Sequence, residues 1–430
     1  MNKSIQSIRG MHDILPKDTI IWQYIEHTLK SIVHDYGYKE IRFPIVENTN
    51  LFQRSIGEIT DVVEKEMYNF KDRNENSITL RPEGTSGCVR AGIEHGLFYN
   101  NQEQRLWYYG PMFRYERPQK GRHRQFHQFS AEAFGCTGPN IDAELILITA
   151  RCWEKLGINK NISLEINSIG SIQSRTNYRK KLISFLEKHL KKLDHYALRR
   201  LHSNPLRILD TKNHATKELL HAAPMINDYL DNDSHTHFSK LCQLLDATKI
   251  PYTINPYLVR GLDYYNKTVF EWITTTDHNN KKKTICAGGR YDTLIQELGG
   301  PSVPAIGFSM GIERIILLMQ AINHEIFNKN IHNDVYLINS SDFDIQKHAI
   351  LISENIRSEF PSIRLIVHHR KDSIKKQIHL AYKNKTKILL ILNEENFLKK
   401  TIILKNLQTN AEEILKLHEI NTKLKYILNI

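Results

Sequence analysis

The sequence predicts an α+β chain in three parts, and three observations carry that reading. Strand-like arms flank a basic loop within residues 106–135, and strand-like segments return at 259–273 and 304–310. The stretch 173–251 is rich in Leu, Lys and His at helical spacing and poor in strand signals, which marks a helical insertion. After Asn328, strand-like and helix-like segments alternate, the pattern of a separate small α/β domain. With 430 residues and roughly 150 per domain, two or three units fit the length. The boundaries follow: 1–172 with 252–327 for the first unit, 173–251 for the insertion and 328–430 for the last.

Taken in order, Ile21, Ile25, Leu29, Ile32 and Tyr36 recur at helical spacing. Asp18 is placed to cap that helix and Gly37 to end it. Residues 39–46 are extended but contain Pro44, which lacks the donor a central strand needs, so they belong at a sheet edge or bulge. Ile312, Ile315, Ile316 and Met319 line one face of a helix over 312–319. In the last unit the expected order is strand 334–339, helix 343–360, strand 364–368 and helix 373–383. Strands 387–392 and 401–404 follow, with a final helix near Glu412.

Hydrophobic residues make up 40% and charged residues 25%, which excludes a disordered or fibrous chain. The apolar runs 315–319 and 388–392 are far short of the ~20 residues of a membrane helix. The opening Met1-Asn2-Lys3-Ser4-Ile5-Gln6 has no apolar stretch that could serve as a signal peptide, so the expected location is the cytoplasm. The net charge of +12 suits a polyanion such as nucleic acid without specifying one. Cys88, Cys136, Cys152, Cys242 and Cys286 form no C-x-x-C pair; they read as small buried hydrophobes, not as a disulfide or zinc framework.

The most informative segment is the basic hairpin. Arg117-Pro118-Gln119-Lys120-Gly121-Arg122-His123-Arg124 concentrates permanent positive charge around a turn. Pairing the arms about Gly121 sets Arg114 against Gln128 and Glu116 against Phe126, with Arg114, Gln128 and Glu132 on one face. An arginine, an amide and a carboxylate beneath a cationic lid can hold a small zwitterion beside a polyphosphate. An exposed, salt-bridged hairpin is the alternative. His123 and His127 sit ~13 Å apart on a strand, too far to share a metal, so no metal site is expected.

Several strings together resemble the histidyl-tRNA synthetases over nearly the whole chain. Ile8-Arg9-Gly10-Met11-His12-Asp13 is similar to the family's opening, and residues 36–44 resemble motif 1 of class II synthetases. Thr79-Leu80-Arg81-Pro82-Glu83-Gly84-Thr85 resembles the amino-acid loop. Phe113-Arg114-Tyr115-Glu116 through Phe126-His127-Gln128 resembles motif 2, and Gly307-Phe308-Ser309-Met310-Gly311-Ile312-Glu313-Arg314 resembles motif 3. Leu258-Val259-Arg260-Gly261-Leu262-Asp263-Tyr264-Tyr265 is similar to the string that separates histidyl enzymes from other class II synthetases. Asn204-Pro205-Leu206-Arg207-Ile208-Leu209-Asp210 matches a family string in the insertion.

The resemblance implies a class II catalytic domain on an antiparallel sheet, a helical insertion and a C-terminal α/β anticodon-binding domain. It implies a histidine–tRNA ligase that joins histidine to ATP as histidyl-adenylate and transfers the histidyl group to the 3′ end of tRNA(His). ATP as substrate, Mg2+ and a homodimer formed through residues 36–44 come with it. Arg114 is then expected on the α-phosphate and the substrate carboxylate, Arg314 at the γ-phosphate, and Arg260 as a catalytic cation. Glu83, Thr85 and Gln128 would hold the α-ammonium, while Glu132 and Tyr265 would read the imidazole. Tyr264 should point away from Tyr265 if the segment is extended, so it is either a pocket or a packing residue; Tyr291 is open in the same way. Arg117, Gln119 and Arg124 would meet the tRNA, and Arg122 serves either tRNA or ATP. In the last unit Lys375-Lys376-Gln377 and Leu404-Lys405-Asn406-Leu407 match the family. His368-His369-Arg370 and Asn393-Glu394-Glu395-Asn396 replace its small, glycine-containing strings. The rival readings are a non-catalytic, histidine-sensing paralogue that regulates ATP phosphoribosyltransferase, and a prolyl or threonyl enzyme of the same class.

Overall fold

The computed structural model describes residues 4–57, 60–99, 102–275, 283–328 and 334–429, so Met1-Asn2-Lys3 lie outside the described residues. The chain forms two compact units, Met1–Phe327 and Asn328–Ile430. No helix among the described residues is long and apolar enough to cross a membrane.

The strands of the first unit are, in chain order, β1 (Lys39–Glu40), β2 (Val46–Asn48), β3 (Tyr68–Lys71), β4 (Ser77–Leu80), β5 (Gln104–Phe113) and β6 (Gln125–Phe134). They continue with β7 (Ile162–Ser168), β8 (Tyr252–Ile254), β9 (Asn266–Thr274), β10 (Thr284–Arg290) and β11 (Ala305–Gly311). The main sheet runs β1-β5-β6-β11-β10-β9-β7-β8 and is antiparallel except at its two ends, where β1 and β8 join in parallel. The remaining strands form a small sheet, β2-β4-β3. Residues 39–46 thus fall at sheet edges, as Pro44 requires.

Helix α1 (Pro16–Asp35) starts with Pro16 in its first turn and no side-chain cap; Asp18 lies inside that turn, where its charge favours the helix N-terminus without capping it. Gly37 follows the helix with φ +77°. Next come α2 (Thr49–Ile56), α3 (Thr85–Glu94) and α4 (Pro139–Lys155). Residues 172–247 contribute α5 (Ile172–Glu187), α6 (His195–Arg200), α7 (His214–Leu220) and α8 (Asn232–Ala247); a short α9 (Leu294–Glu297) and α10 (Ile312–Ala321) complete the unit.

Strand parity divides the core. Trp107, Phe129, Ala131 and Ala133 of the β5–β6 hairpin face a core with α1, α4, α8 and α10, including Ile312, Ile315, Ile316 and Met319. Leu106, Tyr108, Met112 and Phe134 face the opposite core, with Cys88 and Val89 of α3, Tyr178 and Leu182 of α5, and Tyr264, Tyr265 and Tyr291. The hairpin register differs from the expected one. Gly110, not Arg114, opposes Gln128, and Leu106 opposes Glu132. The loop arms part and bond elsewhere: Tyr115 N–H donates to Glu66 O at 2.6 Å and Arg124 N–H to Gly10 O at 2.7 Å. The displacement is four residues, an even number, so Gln128 and Glu132 keep the expected face.

The second unit holds β12 (Val335–Asn339), α11 (Phe343–Glu359), β13 (Leu365–Val367), α12 (Ile374–Lys383), β14 (Ile388–Leu392), α13 (Glu394–Leu398), β15 (Thr401–Asn406), β16 (Glu412–Lys416) and α14 (Ile420–Leu428). Its sheet is β13-β12-β14-β15-β16, parallel across the first three strands and antiparallel across the last three. The segment near Glu412 is therefore an edge strand, and the last helix begins at Ile420. Asn410, at φ +58°, turns the chain so that 412–416 pairs back along β15, with Leu415 buried and Ile414 exposed. His368 is buried, its Nδ1 3.0 Å from Tyr336 Oη, while His369 and Arg370 are exposed. Cys88, Cys152 and Cys286 are buried and Cys136 and Cys242 half-buried, all as free thiols.

Candidate active site

The even-numbered face of the hairpin supplies the floor of a cleft of about 180 Å³. Four guanidinium groups line it: Arg114 just after β5, Arg122 in the basic loop, Arg260 in the loop before β9 and Arg314 in the first turn of α10. Arg114 Nε donates to Pro82 O at 2.9 Å, and its guanidinium lies 5.4 Å from the centre of the Phe126 ring. Arg314 Nη1 donates to Thr284 O at 2.6 Å and Nε to Gly121 O at 3.2 Å. Burial, with Arg122 and Arg114 adding like charge, lowers the Arg314 pKa. Cations crowded this way oppose one another until an anion arrives.

Arg260 is ion-paired with Glu271 on β9, and Glu271 Oε2 accepts a hydrogen bond from Thr284 Oγ1 at 2.9 Å. Burial works against the Arg260 charge, but Glu271 together with Tyr265 and Tyr264 outweighs it and holds the pKa up. Arg122 Nη1 donates to Glu116 Oε2 at 3.1 Å. Arg124 is pinned over the Tyr115 ring at 3.7 Å, whereas Arg117 and Gln119 are exposed on the loop. A wider cleft of about 540 Å³ opens alongside and shares Gly121, Arg122, Thr284 and Arg314 with the first; Gln119 lies on its wall.

Carboxylates, an amide and phenols complete the site. Glu83 lines the cleft, and its two carboxylate oxygens accept from the N–H groups of Thr85 and Ser86 at 2.7 and 2.9 Å, covering the open start of α3. Gln128 also lines the cleft, and its buried Oε1 has no partner among the described residues. Glu132 is buried one layer deeper than expected, outside the cleft wall. Its carboxylate accepts from Thr85 Oγ1 at 2.9 Å, Tyr108 Oη at 2.8 Å and Tyr291 Oη at 2.5 Å. Burial pushes its pKa up to about 8, although the three hydroxyls pull the other way. Gly307 makes room for it, since a Cβ there would lie 1.5 Å from Glu132 Oε2.

Residues 259–265 are not extended, so Tyr264 does not point away from Tyr265. Both line the cleft with ring centres 4.6 Å apart, and Tyr264 lies 5.5 Å from Tyr291. Tyr108 and Glu271 were missed in the sequence. Tyr108 shares strand parity with Glu132 in either register, so that signal was present in the sequence; Glu271 had no such signal, because it meets Arg260 through an irregular loop. His127 Nδ1 lies 3.0 Å from Glu313 Oε1, and no group of three or more His, Cys, Asp or Glu side chains that could hold a metal occurs among the described residues.

Comparison with known proteins decides the family. The model of the histidyl-tRNA synthetase family matches residues 10–315. A histidine–tRNA ligase of Blochmanniella pennsylvanica (strain BPEN) is 70% identical over 430 residues, covering 100% of this chain and 97% of the relative. The chain belongs to the histidyl-tRNA synthetase family. The histidine–tRNA ligase of Blochmanniella floridana is 61% identical over 427 residues, 99% of this chain and 98% of its own. The crystal structure of apo Staphylococcus aureus histidyl-tRNA synthetase superposes with a TM-score of 0.82 at 35% identity, over 98% of this chain and 100% of that one. As a histidyl-tRNA synthetase family member, the chain has the family's α+β fold on a largely antiparallel sheet.

Proposed function

We propose that the chain is a histidine–tRNA ligase that activates histidine with ATP and transfers the histidyl group to the 3′ end of tRNA(His). The observation that carries the mechanism is the convergence of Arg114, Arg260 and Arg314 on one cleft that also holds Glu83, Gln128 and the paired tyrosines. The first step brings a carboxylate against a triphosphate, both anionic, so repulsion is its main obstacle. Guanidinium groups already gathered at the cleft offset that charge as the reactants meet. Arg114 holds the carboxylate and the α-phosphate together, Arg314 anchors the terminal phosphate, and Arg260 leaves Glu271 to meet charge growing at the reacting phosphate.

Glu83 and Gln128 hold the α-ammonium with the support of Thr85. Tyr265 serves one ring nitrogen, and the other ring N–H takes the place of one hydroxyl on Glu132; Tyr264 packs the wall. An isostere unable to make both bonds leaves buried polar groups unpaired and is rejected. Glu271, the carboxylate beside Arg260, would hold a magnesium ion bound together with ATP, and the ion would supply further positive charge against the phosphates. The loop residues Arg117, Gln119 and Arg124 meet the acceptor end of the tRNA, with Arg122 shared with ATP, and residues 328–430 serve the anticodon. We further infer a cytoplasmic homodimer joined at the edge formed by residues 36–44, which lies beside the exposed Ile45 and Val46. Sedimentation as a monomer at micromolar concentration would contradict that dimer.

The histidine-sensing paralogue is disfavoured, because the full-length relatives at 70% and 61% identity are ligases. The direct test is exchange of labelled pyrophosphate into ATP. Exchange that depends on histidine alone is the expected result; exchange with another amino acid, or no exchange with any, removes the assignment.

A further inference from the structure

The loop 258–265 carries Arg260, Tyr264 and Tyr265 but lies outside the strand ladders, so local anchors fix its shape. At its start, Leu258 N–H donates to Asn255 O at 3.0 Å and Leu258 O accepts from Asn167 Nδ2 at 3.1 Å. Towards its end, three separate segments converge on Asp263. The Asp263 N–H donates to Ile56 O at the end of α2 at 3.2 Å. Its carbonyl oxygen accepts from Arg175 Nη1 of α5 at 3.3 Å, and its carboxylate Oδ1 accepts from Asn204 Nδ2 at 3.0 Å. Gly57, at φ +98°, backs the same carboxylate so closely that a Cβ would lie 2.6 Å from Oδ2. Asp263 is not among the residues that line the cleft.

We propose that Asp263 is a positioning residue, clasped by Asn204 and Arg175 of the helical insertion, through which the insertion holds Arg260 and Tyr265 in place. Two of the clasping residues come from the insertion and a third contact from α2, so the loop is set by elements that touch no reacting atom. A displacement of about 1 Å at a reacting group costs up to ~100-fold in rate, so the anchors that set this loop bear on Arg260 and Tyr265. The proposal rests on the reading of Arg260 and Tyr265 as working residues of the cleft.

The test uses the full-length protein and reads single-turnover adenylate formation together with the KM for ATP. Asn204→Asp faces two carboxylates and should slow the step by about tenfold or more, with the KM for ATP within about threefold of the parent. Asp263→Asn keeps a carbonyl oxygen for Asn204 and should lose less than about threefold. The double variant Asn204→Asp, Asp263→Asn restores a donor–acceptor pair in the reverse sense and should return most of the lost rate. Asn204→Ala, which brings no charge, should slow the step in the same sense and serves if Asn204→Asp fails to fold. A parental rate in both Asn204 variants, or a double variant no faster than Asn204→Asp, overturns the proposal. Arg260→Ala separates the two failures: if it too is neutral, the reading of the cleft is wrong; if it is slow while the Asn204 variants are not, only the clasp is wrong.

Discussion

Glu132 concentrates the physics of the site at the scale of one residue. It is a carboxyl surrounded by three hydroxyls, with no salt-bridge partner among the described residues, and kept neutral by burial. An acid whose pKa rises from 4.5 to about 8 on folding binds its proton more tightly in the fold than in the unfolded chain. Stability contributed by this group is therefore fully present below pH 4.5 and declines as pH rises towards 8, by at most ~5 kcal/mol. Glu132→Gln removes that titration. Denaturant unfolding without ligands should show the parent losing stability relative to the variant between pH 5 and 8; a constant difference across that window would contradict the assignment. The same variant should raise the KM for histidine far more than that for ATP, and equal effects on both would refute ring reading by Glu132. Sequence spacing identified Glu132 by its face, but not its depth. Depth depends on Gly307 in β11, more than 170 residues away, leaving space for the carboxylate.

Elements separate what a single sequence can reveal from what only tertiary contacts fix. The face of Gln128 and Glu132 was readable because side chains alternate along any strand. The register was not, because the arms of the basic loop bond to Glu66 and Gly10, partners far away in the chain. The tyrosine pair shows the same limit, since an irregular loop has no period to read. The error near Glu412 has another cause: Glu412-Glu413-Ile414-Leu415-Lys416 is too short for periodicity to choose between strand and helix, and pairing with β15 decides it. That strand makes a sharp contrast between neighbours. Leu415→Ala should destabilise residues 328–430 by roughly 2–4 kcal/mol, because its side chain is buried. Ile414→Ala, 65% exposed, should change stability by less than about 0.5 kcal/mol. Equal losses in denaturant unfolding would contradict the strand and its orientation.

For the whole molecule, the family strings were readable in order along the chain, and their convergence is what the fold adds. Arg114, Arg260 and Arg314 come from the end of β5, the loop before β9 and the start of α10, yet reach one cleft because β6, β11, β10 and β9 are neighbours in the sheet. Their charges repel, and Arg260 rests on Glu271 while Arg314 rests on backbone carbonyls. The central claim is that these cations are held ready for two anions. It is tested most directly by a crystal structure with histidine and a non-hydrolysable ATP analogue bound. In that complex Arg260 should be released from Glu271, with all three guanidinium groups about 3 Å from phosphate or carboxylate oxygens. Arg260 still paired to Glu271, or the nucleotide bound away from Arg114 and Arg314, would contradict it.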